Sequence, residues 1–217
     1  VDSLVSKLLI NVTSFFRDPE TWRVVAQEVI PSVFLSADSF EVRVWVAGCS
    51  TGEEAFTLGM LILEHLRTRQ QKEAWTVRIF ATDIDNAALE YARQGRYPRE
   101  AAGELTPALR DRYFIESGSG SSAMLEVVPA LRHLMVFVPH NLLSNPPFIS
   151  MNLVCCRNVM IFLKREAKAT ILGQLHRSLN APHGFLVLGN SEQAGHGNED
   201  LFEALPACKH IYRSTGV

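Results

Sequence analysis

Apolar positions along the chain switch between a period of two and a period near 3.6, and the switches mark out its elements. Residues 42–47, V-R-V-W-V-A, form a short β-branched run that reads as a strand buried on most sides and ends abruptly in the turn Gly48-Cys49-Ser50-Thr51-Gly52. Beyond it Ala55, Leu58, Ile62 and Leu66 recur at helical spacing. A second strand, residues 75–81, ends in Thr82-Asp83-Ile84-Asp85, and a helix over residues 86–94 stops at Gly95. This β-α-β-α order predicts a parallel sheet with right-handed crossovers.

Ahead of that unit, the pattern predicts a short helix around residues 3–10, a polar-aromatic joint over residues 11–19, and a helix from Pro19 to about residue 29 with Asp18 as its cap. Between residues 97 and 139 the rhythm changes: Tyr113-Phe114-Ile115 and residues 124–128 flank a Ser/Gly tip over residues 117–122, which predicts a small antiparallel insertion. Alternation resumes with strands at residues 135–139 and 152–156, a helix carrying Ala167, Ile171, Leu175 and Leu179, and closing strands at 185–188 and 209–213. The fold class is α/β, divided into a helical stub and lid over residues 1–40 and a sheet domain over residues 41–217 with its insertion at about 97–139.

Composition narrows the function classes. At 217 residues, 47% hydrophobic and 20% charged, the chain matches an ordinary globular domain with a substantial core. Its 21 basic and 23 acidic residues leave a formal charge of −2, which gives no electrostatic reason to expect a nucleic-acid partner. With no apolar run near the ~20 residues needed to cross a bilayer, the expectation is a cytoplasmic protein without membrane insertion. The four cysteines form no C-x-x-C pair and the seven histidines show no paired ligand spacing, so reduced thiols and no metal are expected.

Chemistry enters at the strand ends, where open α/β sheets bind ligands. Gly48 and Gly52 alone define only a tight turn, but the loop continues into Glu53 and Glu54, where a dinucleotide's pyrophosphate would otherwise sit. Two carboxylates there disfavour a phosphate and suit a ligand with an ammonium and a sulfonium; Glu54 is the candidate contact and Glu53 a helix-end residue. Asp83 ends the second strand, where a carboxylate can accept both ribose hydroxyls, while Asp85 can cap the following helix. An adenosine-containing ligand without phosphates follows, and S-adenosylmethionine is the commonest. Asn11, Thr13 and Arg17, set among Val12, Phe15 and Phe16, suit a lid, with Arg17 able to pair bidentately with a carboxylate. Arg157 and Asn158 end a hydrophobic strand, a buried arginine there needs a partner, and Asn141-Leu142 follows another strand at the same edge.

In this order, N-V-T-S-F-F-R (residues 11–17), A-G-C-S-T-G-E-E (47–54), A-T-D-I-D (81–85), H-N-L (140–142), C-R-N-V-M-I-F (156–162) and L-G-N-S-E (188–192) resemble the chemotaxis-receptor methyltransferase (CheR) family of protein-glutamate O-methyltransferases. The resemblance implies a class I S-adenosylmethionine methyltransferase (Rossmann-like) sheet with a small β-subdomain. It also implies cofactor contacts from Asn11, Thr13, Arg17, Glu54, Asp83, Asn141, Leu142, Arg157 and Asn158. Gly48 of the glycine turn joins them as a cofactor-loop candidate, and Arg17 is the candidate for orienting the acceptor or closing over the cofactor. S-adenosylhomocysteine is the implied product, and the implied partner is the cytoplasmic helical region of a chemoreceptor or related signalling protein. The wording of residues 8–19 is similar to versions fused to other signalling domains. Phe162 stands where the family usually carries tyrosine, and only a stub precedes Asn11 where a helical docking domain is usual. Two alternatives therefore stay open: a non-catalytic module sensing S-adenosylmethionine or S-adenosylhomocysteine, and a small-molecule methyltransferase.

Overall fold

The computed structural model describes residues 13–37, 39–69, 74–195 and 197–216 of the chain. The helix expected around residues 3–10 and the candidate Asn11 lie outside the described residues. The first described helix starts at Pro19 as expected, because proline's fixed φ suits a first helical turn. It runs further than its pattern suggested: α1 (Pro19–Val24) passes through a π turn (Val25–Val29) into α2 (Ile30–Ser36). Pro31 has no N–H to donate and its ring crowds the carbonyl four residues back; the widened turn, in which the Ile30 N–H donates to the Val25 carbonyl, accommodates both.

The alternating core pattern builds β1 (Glu41–Ala47), α3 (Glu53–Thr68), β2 (Thr76–Asp83) and α4 (Asn86–Gln94). Along β1 the two-residue period sends Val42, Val44 and Val46 to one face and Trp45 and Ala47 to the other. Each of the three fully buried valines contributes about 1.5–3 kcal/mol. The insertion comprises β3 (Arg96–Pro98), α5 (Pro107–Tyr113), β4 (Phe114–Ser117) and β5 (Met124–Val127), with the antiparallel order β3-β5-β4. After the short α6 (Pro129–Arg132), β6 (Met135–Pro139) pairs in parallel with β2. The antiparallel sheet thus ends at Val127, before the boundary near 139 that the change of rhythm suggested.

The chain finishes with β7 (Leu153–Cys156), α7 (Arg165–Ser178), β8 (Phe185–Leu188), β9 (Phe202–Leu205) and β10 (Cys208–Ser214). The seven-stranded sheet has the order β6-β2-β1-β7-β8-β10-β9, parallel except that β10 runs against both β8 and β9. One face packs on α1, α2 and α3, so these first helices share a core with the sheet. The other face packs on α7 through Ile171, Leu172 and Leu175. Connection order reverses between β1 and β7, which opens a crevice at the carboxyl ends of the strands.

Candidate active site

The glycine turn leaves β1 under tight constraint. Gly48 has φ +77, and a Cβ there would stand 2.3 Å from Val159 Cγ2, so only glycine lets the two loops meet. The N–H groups of Gly48 and Cys49 both donate to the Thr82 carbonyl, at 2.7 and 2.9 Å, locking the turn to the end of β2. Asp83 adds a second tie: Oδ2 accepts the Ser50 N–H at 2.7 Å and Oδ1 accepts the Asp85 N–H at 2.9 Å. Asp85 caps α4 by accepting from Ala87 and Ala88, which leaves Asp83 to its loop and its cavity.

The segment before α1 is pinned by aromatic packing. Phe15 is fully buried, edge-on to Tyr97 and Phe114 of the insertion at 5.0 and 5.4 Å. The Phe16 N–H donates to Thr57 Oγ1 on α3 at 3.1 Å. Fixed at these two points, the segment presents Thr13 and Arg17 to the crevice.

Asp18 does not cap α1, contrary to the local pattern. It sits at φ 61 with no side-chain bond to the helix, and its Oδ2 instead accepts from Arg157 Nη2 at 2.7 Å. The same guanidinium donates from Nη1 to Glu54 Oε2 at 2.8 Å and from Nη2 to the Arg17 carbonyl at 3.0 Å. Its central carbon lies 4.9 Å from the Trp22 ring centroid. Burial pushes the Glu54 carboxyl above its ordinary value, and Arg157 pulls it part of the way back. Glu53, on the next position of the same turn, is buried against Thr51 Oγ1 at 2.6 Å and is also raised by burial.

The loop after β7 is held by Glu192, which no site expectation included. Although 5% exposed, its carboxylate accepts three backbone N–H groups: Asn158 and Gly189 at 2.8 Å and Met160 at 2.7 Å. Asn158 takes φ 60 in that grip. Glu192 lies in the L-G-N-S-E stretch, so its position was legible, but a lone glutamate in a polar loop gives no sign of three donors from two segments.

These loops enclose a cavity of about 340 Å³, a size usual for a small-ligand site. Thr13, Arg17, Gly48, Glu54, Asp83, Asn141, Leu142, Arg157 and Asn158 all line it, so the candidates within the described residues converge on one place. Glu53 is not among the lining residues. Sequence reasoning missed the apolar portion of the wall, which includes Ile84, Leu143, Val159 and Ile161. Cys49, Cys155 and Cys156 lie nearby with thiols pushed up by burial, which keeps them neutral.

A switch-point cavity on this sheet order, with carboxylates rather than a phosphate cradle at the glycine loop, defines a class I S-adenosylmethionine methyltransferase. The family described as CheR methyltransferase, SAM binding domain, matches residues 11–211. The chain belongs to that family. It is 35% identical over 193 residues to chemotaxis protein methyltransferase 1 of Pseudomonas aeruginosa, covering 88% of this chain and 69% of that one. It is also 35% identical over 203 residues to the chemotaxis protein methyltransferase of Vibrio parahaemolyticus, covering 92% and 70%. Against the uncharacterized 104.1 kDa protein in the hypE 3′ region of Rhodobacter capsulatus it is 38% identical over 214 residues. There it covers 98% of its own length and spans 22% of the relative.

Proposed function

We propose that the chain methylates glutamate side chains on the helical cytoplasmic region of a chemoreceptor or related signalling protein. The observation that carries this reading is the meeting of two carboxylates, Glu54 and Asp83, in one cavity beside the glycine turn. Those residues fit an adenosyl amino acid: Asp83 for the ribose hydroxyls, Asn141 and Leu142 for the base, Glu54, bonded to Arg157, for the ammonium, and Thr13, Arg17, Gly48 and Asn158 around the amino-acid portion. When bound, S-adenosylmethionine supplies a methyl group on a sulfonium, which a carboxylate oxygen takes by in-line displacement, leaving S-adenosylhomocysteine.

A glutamate acceptor with an ordinary pKa of about 4.3 is already ionised at neutral pH, so the protein need provide no general base. Its work is alignment and exclusion of water, worth up to about 7–11 kcal/mol of the barrier. Arg17 is the candidate for orienting the acceptor carboxylate, on a segment, residues 13–18, that acts as the lid. The resulting ester removes one negative charge from the acceptor and so relieves like-charge repulsion between receptor helices. Among the described residues no helix is long and apolar enough to cross a membrane, in keeping with a cytoplasmic site of action.

The test is transfer of labelled methyl from S-adenosylmethionine in the presence of receptor-bearing membranes. Base-labile label on a protein is the expected result, and base-stable label on a metabolite overturns the reading. Tight binding without transfer at saturating cofactor points instead to a sensor module, a reading that Phe162 keeps in view because no tyrosine hydroxyl stands at that position.

A further inference from the structure

We infer that Arg157 is a positioning residue, a buried strut that couples the place of Arg17 on the lid to the place of Glu54 on α3. This deepens the proposed function and rests on its assignment of Glu54 to the ammonium. The Arg157 side chain is 0% exposed, and three of the five N–H groups that a guanidinium carries are aimed at protein acceptors. Those acceptors stand on two elements far apart in sequence, Glu54 in the first turn of α3 and the Arg17 carbonyl and Asp18 carboxylate before α1. Trp22 closes the arrangement: its ring covers the guanidinium, and its Nε1–H donates to the same Arg17 carbonyl at 2.8 Å. The left-handed backbone at Asp18, φ 61, is thereby held by tertiary bonds rather than by a helix cap.

Two consequences follow from one cation serving two carboxylates. Moving Arg157 releases the segment that presents Arg17, and it strands Glu54 in a buried place without its counter-charge. The charged and titratable groups around Glu54 include Cys155 and Cys156 of β7 and Arg157 after it, Arg17 and Asp18 on the lid, Glu192 after β8, and Cys49, Glu53 and Asp83 on the glycine loop and its neighbours. Arg157 bonds Glu54 directly, Nη1 to Oε2 at 2.8 Å. A carboxyl raised by burial rises further when that cation is removed, which favours its neutral form and weakens its attraction for an ammonium.

The experiment is calorimetric titration of S-adenosylhomocysteine from pH 6 to pH 8.5 with the wild-type chain and Arg157→Met, Arg157→Lys, Asp18→Asn and Arg157→Met/Glu54→Gln. Arg157→Met is expected to bind roughly tenfold or more weakly at pH 7 and to regain affinity as pH rises. The double variant is weak at every pH, and Arg157→Lys restores the wild-type profile at intermediate affinity. Asp18→Asn, which lies outside the cavity lining and remains informative if Arg157→Met does not fold, weakens binding several-fold with no pH dependence. A pH-independent loss in Arg157→Met together with unchanged affinity in Asp18→Asn overturns the strut in favour of direct contact with the ligand. Failure of the wild-type chain to bind S-adenosylhomocysteine at all overturns the proposed function instead.

Discussion

Replacing Glu192 by glutamine isolates the grip on the loop after β7. Oε2 serves two donors, the N–H groups of Asn158 and Gly189, while Oε1 serves Met160. Glutamine keeps its size but has one acceptor oxygen, so the best arrangement turns the carbonyl toward the doubly used side and points the amide NH₂ at the Met160 N–H, donor against donor. One charge-assisted bond is lost, one buried N–H is orphaned and two remaining bonds become neutral, partly offset by relief of the carboxylate's desolvation. The net cost is about 2–4 kcal/mol, which at the usual slope for a chain of this length lowers the unfolding midpoint by roughly 4–16 °C. Because the grip sets Asn158 at φ 60 against the cavity, affinity for S-adenosylhomocysteine should fall as well. Thermal unfolding paired with calorimetry is the assay. An unshifted midpoint with unchanged affinity would show that the three bonds carry neither stability nor the shape of the site.

Three further outcomes are expected. Gly48→Ala should cost about 2–4 kcal/mol and abolish measurable cofactor binding, because the added Cβ meets Val159 Cγ2 at 2.3 Å in a backbone that disfavours it; urea unfolding and titration check both. Asp83→Asn should weaken S-adenosylhomocysteine binding about 10–100-fold and also cost about 1–2 kcal/mol of stability, since its two oxygens hold the Ser50 and Asp85 N–H groups. For Glu64, burial raises the carboxyl, but the Tyr113 hydroxyl and Arg112 guanidinium outweigh it and leave it below its ordinary value. Its contribution is present above the unfolded pKa of about 4.3 and is lost as pH falls through the lower folded one. The urea midpoint gap between wild type and Glu64→Gln should therefore be widest at pH 7 and close toward pH 3.

What could be read from the chain, and what could not, divides by sequence distance. Strand β6 at Met135–Pro139 and helix α4 at Asn86–Gln94 have the bounds their patterns suggested, because alternation and the Gly95 stop are local signals. Asp18 was misread for the converse reason: an aspartate before proline is a cap by every local rule, yet its partner Arg157 lies 139 positions away. The edge strand β9 escaped notice because Phe202 is the one fully inward residue of its four, which leaves no alternation to detect. Gathering part of the site onto strand ends was legible, since Gly48, Asp83, Asn141 and Arg157 each follow an apolar run. The wiring among those residues was not, because a salt bridge across the sheet leaves no period in the sequence.

The amino end of α3 explains why this crevice takes one class of nucleoside and not another. A 16-residue helix directs unsatisfied N–H groups and a partial positive charge toward the glycine turn, the arrangement that dinucleotide enzymes use for pyrophosphate. Here the first turn already carries Glu53 and Glu54, one buried with Thr51 and the other with Arg157. The two carboxylates place negative charge at the helix end without capping it, so an incoming phosphate meets like charge there. Adenosine should accordingly compete with S-adenosylhomocysteine, through Asp83 and the Asn141-Leu142 edge, whereas ADP should compete more weakly than adenosine despite sharing every atom of it. Raising ionic strength should narrow that difference, since screening acts on the phosphate arm alone. ADP binding more tightly than adenosine would mean that the positive end of α3 remains available, and the electrostatic basis for the cofactor assignment would fail with it.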